Sequence, residues 1–175
     1  MDKRFEFVKD FKITVPADYN HATQLKTFAE RYKKRLYYYE EDITDANFSR
    51  ATNKLIPGRV YKVKIFRIKQ MVESQDILNF IASQKGILVG AQGASLVYQL
   101  AKDQLPIGTG DNWYLSLDKR DALFIDSSGV RVPNLIISSA NHYIPSPDYV
   151  SFDLVWFKYG FAAGRHILCV CLSRY

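Results

Sequence analysis

The sequence predicts an α+β fold in which a mostly antiparallel sheet of about six or seven strands packs with about three main helices. Several short segments alternate apolar and polar residues, a pattern typical of strands with one buried face. Other segments repeat apolar residues every three or four positions, as one face of an amphipathic helix does. Glycine and proline breakers separate these segments. Together the three observations predict one α+β domain over residues 1–175.

Composition is that of an ordinary globular protein. The chain has 175 residues, of which 47% are hydrophobic and 24% charged, enough for one domain with a substantial core. The longest apolar runs are too short to span a membrane, and the charged N-terminus lacks the apolar region of a signal peptide. Two cysteines do not make a disulfide framework. The expected location is the cytoplasm.

The N-terminal third predicts a strand, a helix and a second strand. Residues 5–15 alternate as a half-buried strand, and an apolar stripe from Asp18 to about Tyr39 predicts a long helix. Pro57-Gly58 is a breaker and a possible seam within the single domain. Residues 59–69 alternate again, but the pattern changes phase at Phe66. That change predicts a bulge or burial of both strand faces.

The middle of the chain predicts helix, strand, turn and helix in succession. Ser74 is a suitable N-cap for a helix that ends before Gly86. The apolar run Ile87–Val89 predicts a short buried strand. Gly90–Ser95 then reads as a glycine turn, and a helical repeat follows it as far as Lys102.

The C-terminal third predicts strands. Alternation predicts them at residues 113–117 and 150–156, and a turn at 126–129 predicts a hairpin between its neighbours. Residues 138–147 have loop composition. Residues 166–172 are apolar on both faces, so we expect this strand to lie centrally in the sheet.

A glycine turn that opens a helix offers free N–H groups to an anion. The candidate anion-binding residues are Gly90, Gln92, Gly93 and Ser95. Neither GxGxxG nor GK[ST] is present, and a tight connection that needs glycine for its shape explains these residues better. A helix terminus contributes about 0.3–1 kcal/mol to anion binding, far less than micromolar affinity requires. A phosphate-ester or nucleotide-using enzyme at this turn, with His142 or Asp118 as a further candidate residue, is an alternative hypothesis.

The excess positive charge lies in the N-terminal part of the chain. Residues 1–70 hold 16 Lys and Arg against 9 Asp and Glu, whereas residues 71–175 hold 8 against 9. Such asymmetry can mean an acidic partner, a protein or another macromolecule, although a soluble basic surface with no such partner is commoner. The candidate basic surface comprises Lys33, Lys34, Arg35, Lys62 and Lys64. Nucleic-acid binding, with Tyr37–Tyr39 stacking on bases, is one alternative, and cations that complement a helix end are another.

No motif in the sequence predicts a metal site or a cofactor. Cys169 and Cys171 face one way on a predicted strand, and core packing explains them best. The histidines have no ligand spacing, and they are His21, His142 and His166. The acidic candidates mostly lie at turns, and they are Asp111, Asp118, Asp121 and Asp126.

One block of the sequence resembles a family of small bacterial proteins of uncharacterised function. Its elements are GAQGASLVYQ, a following LP, WYLSLD, Arg131-Val132-Pro133 and the late Leu168–Cys171 run. The resemblance covers roughly Tyr61 to Leu172 and implies one recurring unit, but it implies no activity and no catalytic residue. Without a catalytic motif, the sequence favours a non-catalytic binding protein with an acidic partner.

Overall fold

The computed structural model describes residues 2–107, 111–138 and 149–173. Nine strands form one sheet in this part of the chain. The strands are β1 (Phe5–Thr14), β2 (Tyr38–Tyr39), β3 (Val60–Ile68), β4 (Gly86–Ile87), β5 (Asp111–Leu115), β6 (Phe124–Asp126), β7 (Gly129–Ser138), β8 (Tyr149–Trp156) and β9 (His166–Leu172). The helices are α1 (Gln24–Tyr32), α2 (Ser74–Ser83) and α3 (Gly90–Ala101). Of the helices in these ranges, none combines the length and apolarity needed to cross a bilayer.

The strand order is β1-β3-β9-β5-β7-β8-β2, with β4 paired to β9 and β6 paired to β7. Pairing is antiparallel except at β5–β9 and β2–β8. The predicted α+β fold with a mostly antiparallel sheet is therefore confirmed. The sheet has more strands than expected because it includes three strands of only two or three residues. Strands β1 and β3, on either side of the predicted seam at Pro57-Gly58, pair with each other.

Strand β9 lies inside the sheet, as its apolar sequence predicts. One of its edges pairs with β3 from Tyr61 to Arg67. The other edge is shared between β5, which pairs with His166 and Ile167, and β4, which pairs with Val170 and Cys171. A strand that is paired on both edges and covered on both faces has no solvent-exposed face, so its residues are mostly apolar.

The helices cover opposite faces of this sheet. Phe80 of α2 packs against Phe66 of β3 at 4.8 Å between ring centroids, and Phe28 of α1 packs against Phe152 of β8 at 5.7 Å. In the strand register, Phe66 pairs with Ile167 of β9. The pairs that start at Phe152 lead across β7 and β5 to His166 of β9, so Phe152 and His166 lie on the same face of the sheet. Neighbouring residues of a strand point to opposite faces. Helix α2 therefore lies on one face and α1 with α3 on the other.

The phase change predicted in the second long strand coincides with a bulge in its neighbour. The β1–β3 register shifts between Phe7, which pairs with Phe66, and Lys9, which pairs with Ile65. Strand β3 stays regular there, and Ile65 and Phe66 are both buried. Burial on both faces is therefore the explanation that holds for β3, and the bulge lies in its neighbour β1 rather than in β3 itself.

The prediction of one long helix from Asp18 to Tyr39 is wrong in its extent. Helix α1 covers only Gln24–Tyr32, between two 3₁₀ turns, and the chain is extended from Leu36. The Tyr37 N–H donates to the Val150 carbonyl at 2.8 Å and the Glu40 N–H to the Phe152 carbonyl at 2.9 Å. The tyrosines thus extend the sheet along β8, because aromatic residues suit a strand and the edge of β8 offers unpaired carbonyls.

The predicted glycine turn is also corrected. Helix α3 begins at Gly90, so residues 90–95 form its first turns, and the strand before it covers only Gly86–Ile87. The helix on the other face begins at Ser74, but Glu73 is its N-cap, in a capping box with Asp76. Tertiary contacts explain the early start of α3, since every residue from Gly90 to Tyr98 is buried.

Candidate functional site

Helices α1 and α3 lie side by side and run in the same direction. Gln24 at the start of α1 donates from Nε2 to the Ser95 hydroxyl at 3.1 Å. One turn later Phe28 contacts Tyr98, at 5.8 Å between ring centroids, and Tyr32 contacts the same ring at 5.6 Å. His21, just before α1, lines one cavity with Gln92 near the start of α3, and Arg35, just after α1, lines another with Lys102 at the end of α3. Like ends of the two helices therefore lie near each other.

Aspartates from elsewhere in the chain lie at both N-terminal ends. The Asp45 carboxylate accepts the backbone N–H groups of Leu25 and Lys26, at 3.0 and 2.9 Å. At α3, a Cβ on Gly90 would come within 3.1 Å of an Asp118 carboxylate oxygen. Each carboxylate complements the positive end of a helix. A further anion at this end would meet two negative charges of the protein itself.

The Asp118 carboxyl is held in an unfavourable setting for its charge. It is 1% exposed and accepts the N–H groups of Thr52 at 3.0 Å and Lys119 at 2.7 Å. Burial raises the pKa of Asp118 above its ordinary value, while those two hydrogen bonds oppose the rise. Asp118 was predicted as a candidate residue of an enzyme at the Gly90–Ser95 segment, and in the structure its carboxylate does lie beside Gly90.

The four predicted anion-site residues all take part in packing or internal hydrogen bonds. Gly90 has a φ of +52° and its carbonyl accepts from the Ser116 hydroxyl at 2.7 Å. A Cβ on Gly93 would lie 2.1 Å from a Val89 methyl, so only glycine fits there. The Ser95 hydroxyl donates to the Gln92 carbonyl at 2.9 Å. The anion-binding hypothesis is not tested by these contacts, but they account for the glycines.

A cavity of about 240 Å³ opens beside this end of the helix pair. Three separate stretches of chain form it: the 3₁₀ turn before α1, the turn-rich segment 42–54, and the second residue after the start of α3. Its lining residues are His21, Ala22, Asp45, Ala46, Ser49, Lys54 and Gln92. Gln92 thus belongs to a pocket, though not to the glycine turn predicted for it.

Two of the lining side chains each keep a buried polar atom without a hydrogen-bond partner. Gln92 is 1% exposed, and its Nε2 donates to the Phe48 carbonyl at 3.1 Å, but its Oε1 accepts nothing. His21 has Nδ1 at 3.0 Å from the Tyr19 hydroxyl, whereas its Nε2 has no partner. Buried polar groups in folded proteins are normally paired.

The electrostatics of the cavity favour the uncharged form of the imidazole. Burial lowers the pKa of His21 below its ordinary value, and the positive charge of Lys54 lowers it further, with Asp45 acting in the opposite direction. A ring that is neutral at pH 7 has one N–H donor and one acceptor nitrogen. The cavity therefore combines a cation, a carboxylate, a neutral imidazole and an amide oxygen.

The five predicted basic-surface residues lie in two places and do not form one group. Lys33, Lys34 and Arg35 form the 3₁₀ turn that leads towards β2, at one end of the strand order, while Lys62 and Lys64 lie on β3 near the other end. Four strands separate the two groups. Lys62 Nζ pairs with Asp10 at 2.6 Å, and Lys33 Nζ with Glu41 at 3.7 Å. The acidic-partner hypothesis stays a prediction.

The other candidates from the sequence are structural in this fold. Cys169 and Cys171 are buried, with their sulfur atoms 3.8 Å apart. The His166 ring stacks on Tyr114. Asp126 accepts from Arg131 at 2.7 Å, and Asp111 accepts from the Ser138 hydroxyl. His142 lies outside the described residues. Among those described, no group of three or more His, Cys, Asp or Glu side chains is arranged to hold a metal ion.

Four residues at this cavity were not predicted from the sequence. They are the lining residues Asp45, Ser49 and Lys54, and Tyr19, whose hydroxyl pairs with His21. Their positions carry no spacing pattern, because the cavity joins segments that are distant along the chain. The only sequence signal was indirect: a tyrosine two residues before a histidine, and a glutamine in an otherwise apolar helix. The chain matches no protein-family model, no curated protein and no solved structure. The resemblance to small bacterial proteins stays a prediction.

Proposed function

We propose that this protein binds a small, uncharged, amide-bearing molecule in the cavity between His21, Lys54 and Gln92. The observation that carries the proposal is the pair of unpartnered buried atoms, Gln92 Oε1 and His21 Nε2, on side chains that line one cavity. Leaving a buried polar group unsatisfied costs about 1–3 kcal/mol. Both atoms are inaccessible from the cavity as the structure stands, so a ligand reaches them only after side-chain rotations turn them towards it. A ligand that then hydrogen bonds to both would remove that cost.

The ligand's chemistry follows from the groups around it. Gln92 Oε1 can only accept, so the ligand must offer an N–H or O–H donor. The Lys54 ammonium and the Ser49 hydroxyl can donate, so the ligand must also offer an acceptor. The Asp45 carboxylate at the start of α1 disfavours an anion. An amide, a lactam or a nucleobase edge carries the required donor beside an acceptor.

The cavity's size limits the ligand further. A volume of about 240 Å³ is below the roughly 300–1,000 Å³ of sites that hold drug-sized ligands. A single ring or a short amide fits, whereas a whole nucleotide does not. This proposal keeps the binding role that the sequence favours. It replaces the acidic macromolecule expected from the sequence with a small neutral molecule as the proposed ligand.

The test compares matched compounds and matched variants. Uracil and nicotinamide have the amide donor, and 1,3-dimethyluracil and N,N-dimethylnicotinamide lack it. We expect ligand-observed NMR and a thermal shift to show saturable binding of at least one of the first pair, and binding weakened about tenfold or more on N-methylation, as loss of a hydrogen bond to a buried acceptor predicts.

Ser49→Trp places a large side chain at the exposed rim of the cavity and should abolish that binding. Thr27→Trp adds the same side chain at an exposed position of α1 that does not line the cavity, and it should bind as the wild type does. If none of the compounds binds at millimolar concentration, or if Ser49→Trp binds normally, the proposal is wrong.

A further inference from the structure

A second cavity, of about 200 Å³, lies at the other end of the helix pair. Its floor and walls are apolar or aromatic. Tyr98 of α3, Ile137 of β7 and Val150 of β8 are 7%, 6% and 5% exposed, so they form the floor. The ring of Tyr32 meets that of Tyr98 edge-on, at 82°, and forms one wall. Such a site suits a flat apolar group.

The rim of this cavity carries more positive than negative charge. Arg35, from the turn after α1, and Lys102, at the C-cap of α3, both line it. The one acidic lining residue among those described is Asp103. Its side chain is 90% exposed and reaches Lys102 Nζ only at 4.0 Å. An exposed pair at that distance is weak, so the rim keeps a net positive charge.

We infer that this second cavity binds a small aromatic carboxylate, with its ring packed against Tyr32 and Tyr98 and its carboxylate at Arg35 and Lys102. The planar guanidinium of arginine matches a carboxylate with two parallel hydrogen bonds. The volume admits one ring or a fused pair. This site is separate from the His21 cavity and does not depend on the function proposed for it.

A competing explanation is that Arg35 and Lys102 only complement the negative C-terminal ends of α1 and α3. That explanation predicts no ligand. On that explanation the aromatic wall is core packing, since the rings of Tyr32 and Tyr98 both contact Phe28. A binding measurement therefore distinguishes the two explanations.

The experiment measures binding of 2-naphthoate by saturation-transfer NMR and titration, with 2-naphthalenemethanol as the uncharged analogue. We expect saturable binding of the carboxylate, and about tenfold or greater weakening for the uncharged analogue. The double variant Arg35→Glu/Lys102→Glu should bind 2-naphthoate at least as weakly. Both side chains are exposed, so circular dichroism and thermal unfolding should show an intact fold.

The double variant Lys12→Glu/Lys34→Glu is the charge-matched control. It changes the net charge equally at exposed positions that do not line the cavity, and it should keep wild-type affinity. The Ser49→Trp variant should also bind 2-naphthoate normally. Three results would overturn the inference: no binding at millimolar concentration, equal weakening in both double variants, or equal affinity for the uncharged analogue.

Discussion

The two ends of the α1–α3 pair differ in chemistry although the same two helices form them. At the N-terminal end, Asp45 and Asp118 complement the helix starts, and His21 and Gln92 leave polar atoms unpaired. At the C-terminal end, Arg35 and Lys102 stand over an aromatic floor. Because the helices are parallel, their dipoles add, and each end attracts side chains of the opposite sign. Parallel packing of two helices thus gives one protein two unlike cavities.

The largest expected effect comes from Phe28, in the middle of α1, whose ring packs against α3 and the sheet. Phe28 is 1% exposed and its ring contacts Tyr32, Tyr39, Tyr98 and Phe152. Phe28→Ala should lower the free energy of unfolding by about 3–5 kcal/mol, because it removes an aromatic ring from a packed core. Urea denaturation measures this. Met71, which is 72% exposed, is the control, and Met71→Ala should change the free energy by less than about 0.5 kcal/mol. A small effect at Phe28 would mean that the helix pair is not held by this ring.

A smaller effect separates the two ends. Asp45→Ala removes the acceptor for two N–H groups at the start of α1 and should cost about 1 kcal/mol of unfolding free energy. The same variant should leave binding of 2-naphthoate at the far end unchanged. If Asp45→Ala weakened that binding strongly while the protein stayed folded, the two cavities would not be independent.

The smallest effect is the pH dependence of stability at the N-terminal end. The pKa of His21 is lowered on folding, so between the unfolded value near 6.5 and the folded value the unfolded chain binds more protons. Stability from this residue is present above pH 6.5 and is lost as the pH falls through that window. His21→Asn should therefore flatten the pH dependence of the unfolding midpoint there. A titration of His21 by NMR that gave a pKa above 6.5 would contradict this.

Much of the fold could be predicted because its signals are local. Alternation in residues 5–15 and 59–69 predicts β1 and β3, and the apolar run at 166–172 predicts an interior strand. The phase change at Phe66 predicted burial of β3 on both faces, but the bulge beside it lies in β1, where no pattern predicted it. These predictions hold because the alternation that buries one face of a strand is visible within a few consecutive residues.

The errors arose where a distant segment competed with a local pattern. Tyr37–Tyr39 continue an apolar helical stripe, but their backbone hydrogen bonds to the edge of β8, so they belong to the sheet. Gly90–Ser95 have turn composition, but burial against neighbouring segments makes them helical. Glycine is compatible with both states, so its presence alone could not decide between them.

The amino-acid pattern alone settled the α+β class, the positions of β1, β3, β8 and β9, and the interior place of β9. Tertiary packing alone decided where α1 ends and where α3 starts, and it assembled both cavities. Burial of one face of a strand or helix depends on residues that are close along the chain, whereas a cavity forms only when distant segments pack together. His21, Lys54 and Gln92 carry no shared signal along the chain, and neither do Arg35 and Lys102.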